Sequence, residues 1–203
     1  MIVERIYSRK LQDYLQHKRE ENTIYVTDLL RCPLKLKYES QFRELTSGDF
    51  FIPAGIMGDF VHVGLEDFLK KEFDAKVEVE GIKEVNVEGK TIIIKGRADA
   101  ILEKDGEKII VEIKSSRADK GLPFEPHKVQ LQIYLWLFGA RKGVLIYVTP
   151  DRITEFEVSE PIDESILLRL VRETIEARKA PRYPWECGYC RFNIICPNKK
   201  SVE

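Results

Sequence analysis

The chain has 203 residues, enough for one compact body whose core needs no disulfide support. Apolar residues at 43% and charged residues at 33% exclude wholesale disorder, and a net charge of -1 excludes a uniformly basic coat for nucleic acid while leaving room for a local basic groove. No apolar run of about 18 residues occurs and the first ten residues contain no signal-like apolar block, so a soluble cytoplasmic protein with no membrane partner is expected.

Residues 1–20 are expected to be helical, with Leu11, Tyr14, Leu15 and Lys18 spaced for one face. Thr27 or Asp28 can cap a second helical stretch toward Cys32, and Pro33 suits the first turn of a third. Gly48 to Pro53 reads as a loop. From Gly55 onward apolar residues recur at Met57, Phe60, Val61, Leu65, Phe68 and Leu69, which predicts an amphipathic helix. The pattern then changes to period two. Residues 77–89 read as a pair of strands, 91–102 as a strand and 108–115 as its partner. Residues 124–140 predict a helix ending at Gly139, and two further strands after it close the sheet. A last amphipathic helix starts near Asp163, with Ile166, Leu167, Leu170, Val171 and Ile175 inward. The expected architecture is a single α/β domain over 1–203: a helical region at 1–54 carrying Cys32, a core at 55–160, and a C-terminal helix with a cysteine-rich tail at 161–203.

The most informative local feature is Asp105-Gly106 between two strand-like runs, the signature of a two-residue hairpin turn. That turn pairs Lys104 with Glu107 and, in the same register, sets Asp99 across from Glu112. Their Cβ atoms are then about 5 Å apart on one face. Lys114 shares that face with Glu112, while Ile113 points to the other side, and Ile101 and Ile110 fill the same face nearer the turn. Two carboxylates so placed repel each other unless compensated, and Mg2+ or Mn2+ favours such oxygen ligands. A charged patch on a sheet is the plainer reading of the same spacing. His62 shares a helical stripe with Gly58, Glu66 and Leu69, from which its imidazole can reach over the sheet as a ligand or simply pack. Gln130 and Tyr134 are four apart and project from one helix face. His17 and His127 are expected at the surface.

Helical His62, Asp99 closing a GRAD stretch, Glu112-Ile113-Lys114 and Gln130-x-x-x-Tyr134 together resemble the RecB-like branch of the PD-(D/E)xK nucleases. Cys32 ahead of that core and Cys187-x2-Cys190-x5-Cys196 behind it resemble its iron–sulfur members. In a chain of this length the whole set is similar to the CRISPR-associated RecB-like exonuclease family, the fourth core Cas protein. The resemblance implies a restriction-endonuclease-like core and a metal-dependent exonuclease for single-stranded DNA or DNA with single-stranded ends. It further implies trimming of fragments for spacer acquisition alongside the CRISPR integrase complex. His62, Asp99, Glu112 and the Ile113 carbonyl are the implied ligands of Mn2+ or Mg2+, Lys114 the catalytic lysine, and Gln130 and Tyr134 its supports. Cys32, Cys187, Cys190 and Cys196 are the implied ligands of a [4Fe–4S] cluster tying the N-terminal region to the tail.

Cys32 and Cys187 are 155 residues apart, so a shared metal closes a long loop and resists opening of the domain. Zinc on four cysteines is the rival; the Cys-Pro steps at 32–33 and 196–197 favour iron–sulfur. The alternative functions are a RecB/AddB-like repair or recombination nuclease, a catalytically inactive iron–sulfur DNA-binding module, and a redox carrier. Arg169, Arg172, Arg178, Lys179 and Arg182 either line a groove or serve helix solubility, while Arg117 and Lys120 are better placed to meet phosphates. Tyr183, Trp185, Tyr189 and Phe192 either stack bases or pack around the cysteines.

Overall fold

Two tight turns lay down the centre of the sheet. In the computed structural model, which describes residues 1–16, 19–46 and 52–201 without the side chains of Arg43 and Glu44, Glu88-Gly89 and Asp105-Gly106 each adopt two successive left-handed conformations. Their φ values are 54° and 79°, then 53° and 80°, and turns of this kind match the twist of antiparallel strands. They fold β2 (Lys76–Val87), β3 (Lys90–Lys104) and β4 (Glu107–Ser115) into one antiparallel meander. β1 (Thr23–Tyr25) lies parallel to β3, β5 (Lys142–Val148) lies parallel to β4, and β6 (Ile153–Val158) runs antiparallel to β5. β2 covers one edge of β3 along most of its length. The other edge is shared, with β1 at residues 93–95 and β4 at residues 100–104, so residues 96–99 have no strand on that side. Asp99 ends this gap.

Helices cover both faces of the sheet. α5 (Glu125–Phe138), the crossover from β4 to β5, and α6 (Glu164–Glu176) bury Leu131, Ile133, Leu135, Leu167 and Val171 against Ile94, Ile101, Ile110 and Leu145. Val26 and Leu29 of a short 3-10 helix (Val26–Leu30) join that core. On the opposite face α4 (Pro53–Phe73) packs Val61, Leu65 and Leu69 over Ala100, Val111 and Ile113. α1 (Ile2–Gln16) buries none of its residues, whereas α2 (Pro33–Gln41) follows Cys32 directly, and α3 (Arg43–Thr46) comes after it. Among the described residues no helix is long and apolar enough to cross a membrane.

Several expectations change. Residues 77–89 are one strand and its turn, not two strands. Gly81 lies mid-strand beneath Phe138, whose ring would be 2.8 Å from a Cβ built there. The stretch from Thr27 is a 3-10 helix, and α4 starts at Pro53. The buried stripe of α4 is narrow and leaves Met57, Phe60 and Phe68 half or more exposed; α6 likewise leaves Ile166 and Ile175 outward. His17, Lys18 and most of the loop expected from Gly48 lie outside the described residues.

Gly81→Val tests the close approach at α5. Overpacking of this kind is expected to cost about 1–3 kcal/mol in urea unfolding. An unchanged midpoint would mean that the Phe138 ring moves aside freely.

Candidate active site and cysteine cavity

The β3–β4 ladder ends at Ala100↔Val111. One step on, the register sets Asp99 opposite Glu112, as the Asp-Gly turn requires, but the strands exchange no further backbone bonds there. The Ile113 backbone N–H instead donates to Asp99 Oδ2 at 2.6 Å. Both carboxylates are buried, Asp99 at 8% exposure and Glu112 at 3%. Glu112 Oε1 accepts from Lys114 Nζ and from Gln130 Nε2, each at 2.6 Å. Gln130 Nε2 also donates to Tyr134 Oη at 3.3 Å, and the two residues come from one face of α5. Glu112 Oε2 is buried with no hydrogen-bond partner.

α4 brings the imidazole. A Cβ on Gly58 would sit 2.9 Å from Ser115 Oγ, so glycine lets the first turns of α4 press against the end of β4. One turn later His62 Nδ1 lies 3.4 Å from Asp99 Oδ1 and 3.9 Å from Glu66 Oε1. His62, Glu66 and Asp99 each offer a ligand atom within 4.8 Å of the others. Glu66 was not singled out as a site residue by sequence reasoning. Its signal was the four-residue step from His62 on one helix stripe.

The electrostatics follow from this crowding. Burial first, and Asp99 in addition, push the Glu112 carboxyl up to about 7 against the opposing pull of Lys114. The hydrogen bond to Asp99 raises the His62 imidazole above its ordinary value despite burial. Glu66 is also raised, by burial and then by the Glu78 and Asp99 charges. Burial and the Glu112 charge hold the Tyr134 hydroxyl far above its usual range, so it stays protonated. An oxygen-rich donor set with one imidazole, in which His62, Glu66 and Asp99 cluster and Glu112 stands beside them with one orphaned carboxylate oxygen, fits a divalent cation of the Mn2+ or Mg2+ type.

The four cysteines line one cavity of about 220 Å3, none of whose lining residues belongs to the acidic fork. Cys32 precedes α2, Cys187 sits in a 3-10 helix (Pro184–Tyr189), and Cys190 and Cys196 follow. Burial raises the Cys32 and Cys190 thiols. Glu186 bridges the two segments: its carboxylate accepts the Cys32 backbone N–H at 2.7 Å and that of Tyr183 at 2.8 Å. Arg182, buried, donates to the Arg31 carbonyl at 3.3 Å, to Glu173 at 2.8 Å and to Thr174 Oγ1 at 3.0 Å. Phe192, fully buried, lies 5.5 Å from the Tyr38 ring, centroid to centroid. Tyr183 stacks on Trp185, and Tyr189 is exposed.

The other candidates divide. Arg172, Arg178 and Lys179, themselves exposed, pair with Glu88, Glu176 and Glu173, and Arg182, buried, is part of the cysteine scaffold. Arg169, Arg117 and Lys120 are exposed. His127, expected at the surface, is partly buried beside Tyr147.

A sheet fork that holds Asp99, Glu112 and Lys114 under a histidine-bearing helix defines a carboxylate–lysine nuclease frame, and the family model for the PD-(D/E)XK nuclease superfamily matches residues 70–197. The CRISPR-associated exonuclease Cas4 of Saccharolobus solfataricus (strain ATCC 35092 / DSM 1617 / JCM 11322 / P2) is 54% identical over 200 residues, which are 98% of this chain and 99% of the relative. The crystal structure of SSO0001 matches with a TM-score of 0.95 at 54% identity, over 99% of this chain and 98% of that one. An alkaline exonuclease from Laribacter hongkongensis, LHK-Exo, shares the fold alone, with a TM-score of 0.51 at 11% identity over 86% of this chain and 90% of its own. The chain therefore belongs to the PD-(D/E)XK nuclease superfamily and, within it, to the family of the CRISPR-associated exonuclease Cas4.

The raised Glu112 pKa has a signed consequence. Between the ordinary value of 4.5 and about 7 the folded chain keeps a proton that the unfolded chain releases, so stability falls with rising pH, and the loss is complete above pH 7. Glu112→Gln is expected to raise metal-free stability at pH 8 by about 1–3 kcal/mol and to change it little near pH 4.5. Urea midpoints at both pH values check this, and equal midpoints at pH 8 would contradict it.

Proposed function

We propose that this nuclease is a metal-dependent DNA exonuclease acting on single-stranded ends, which trims fragments for CRISPR spacer acquisition in the cytoplasm alongside the integrase. The carrying observation is the buried Asp99–Glu112 pair with an orphaned Glu112 oxygen beside Lys114. The name of the 54%-identical relative, a CRISPR-associated exonuclease, supports the end-directed activity and the setting. The preference for single strands and the integrase partner rest on the family resemblance of the ordered residue set.

In this reading His62, Asp99, Glu112 and the Ile113 carbonyl would hold Mn2+ or Mg2+. The bound ion supplies positive charge for the phosphodiester and a water acidic enough to attack it. Lys114, already hydrogen-bonded to Glu112, is positioned to donate to a phosphate oxygen as charge develops there. Gln130 fixes the Glu112 carboxylate through one N–H, and protonated Tyr134 fixes Gln130 in turn. Glu66 stands beside His62, 3.9 Å from its Nδ1, and adds a carboxylate to the same cluster.

For the tail we propose a [4Fe–4S] cluster on Cys32, Cys187, Cys190 and Cys196, making the segments 1–54, 55–160 and 161–203 one iron–sulfur nuclease domain. The cavity supports this over zinc, because a single zinc ion draws four sulfurs to about 2.3 Å and fills no such volume. Four thiolates leave no open position, so the cluster's role is structural and separate from hydrolysis.

Asp99→Ala is expected to abolish Mn2+-dependent degradation of an end-labelled single-stranded oligonucleotide, with the circular dichroism spectrum and iron content unchanged. Degradation by that variant at the wild-type rate would overturn the site. Anaerobically purified protein is expected to carry about four irons and matching sulfide per chain. The cluster should be lost in Cys32→Ser. One zinc with negligible iron would overturn the cluster while leaving the hydrolytic site intact.

A further inference from the structure

α5 carries a third polar side chain on the stripe of Gln130 and Tyr134: His127, about one turn earlier. Its ring is fixed on one side. The Phe124 backbone N–H donates to Tyr147 Oη at 3.1 Å, and Tyr147 Oη lies 2.7 Å from His127 Nδ1. Tyr147 is fully buried. A hydroxyl that accepted from both nitrogens would leave its own proton buried without an acceptor, so the hydroxyl donates to Nδ1 and the ring proton sits on Nε2. The Phe124 ring meets the imidazole edge-on at 5.7 Å and 72°, and the Tyr147 ring flanks it at 5.7 Å. Nothing among the described residues accepts from Nε2.

Lys114 pairs with Tyr147 across the β4–β5 ladder, so the ring that Tyr147 holds lies on the side of the sheet near the lysine. Burial first, and the Lys114 charge second, push the His127 imidazole down to about 4, so the ring is neutral at physiological pH. The result is a preset neutral donor beside the catalytic lysine. A cation at this point would be repelled by Lys114. A neutral N–H is not, yet still offers a directional bond to an anionic oxygen.

We propose that His127 contacts the substrate, its Nε2–H donating to a non-bridging phosphate oxygen of the DNA strand held beside Lys114, with Tyr147 as the residue that sets its tautomer. This rests on the nuclease reading of the Asp99–Glu112 site. The competing role is a purely structural staple that joins the start of α5 to β5.

Two variants separate the roles. Asparagine places its amide at the level of Nδ1 and has nothing at Nε2; glutamine carries its amide out to the level of Nε2. With an end-labelled single-stranded oligonucleotide and Mn2+, His127→Asn is expected to raise KM about ten-fold with kcat within about two-fold, and His127→Gln to recover most of the loss. In an Asp99→Ala background, which binds without turnover, His127→Asn should weaken oligonucleotide binding by a similar factor. If His127→Asn does not fold, His127→Phe, which keeps a ring but no N–H, replaces it in both assays. Wild-type KM and binding in the donor-less variant, or a loss that tracks only its melting temperature, would overturn the inference. A wild-type enzyme that cleaves no better than Asp99→Ala would instead overturn the nuclease reading.

Discussion

Two carboxylates face each other across the end of a β-ladder, both buried, and the surrounding structure compensates for that contact. Asp99 and Glu112 sit where β3 and β4 part, because β3 gives one edge to β1 at residues 93–95 and to β4 only from residue 100. The gap lets the Asp99 side chain take a backbone N–H that a ladder would otherwise bind. Lys114 and Gln130 both serve one oxygen of Glu112, and His62 sits against Asp99. The second Glu112 oxygen is left over. A buried acidic site with one carboxylate oxygen left over fits a cation. Glu66 enlarges the same acidic pocket from α4.

The second constraint is the closure of the chain on itself. Cys32 and the tail cysteines line one cavity, but the thiols are not alone in bringing them together. Glu186 holds the Cys32 and Tyr183 amides with one carboxylate, and buried Arg182 joins the Arg31 carbonyl to Glu173 and Thr174 on α6. Removing Glu173 would leave the buried Arg182 guanidinium without its carboxylate, which costs more than the contact itself contributes. The cavity is thus framed by bonds within the protein, and it shares no lining residue with the acidic fork.

Much of the fork was legible because a two-residue Asp-Gly turn leaves a hairpin little freedom of register. Asp99 opposite Glu112, Lys114 on their face and Ile113 on the other follow from that turn and the period of two. The Glu88-Gly89 turn has the same geometry, yet Glu is not a typical first residue for it, and residues 77–89 form one strand and its turn rather than the pair expected. Hydropathy overstated the buried face of α4, since Met57, Phe60 and Phe68 satisfy the helical period while facing outward. Partners distant in sequence left no local trace. His127 meets Tyr147 from another element, and Glu186 meets Cys32 across 154 residues, so neither pairing follows from spacing.

The central claim is that the buried carboxylate pair is a cation site held partly protonated until the cation arrives. Calorimetric titration of Mn2+ into the metal-free active site at pH 6, in two buffers of different ionisation enthalpy, counts the protons released. With Glu112 at about 7 and His62 raised, the expected release is at least about one proton per ion at pH 6, declining as the pH is raised to about 8.5. Binding with no proton release at either pH, or no binding at all, would contradict the claim.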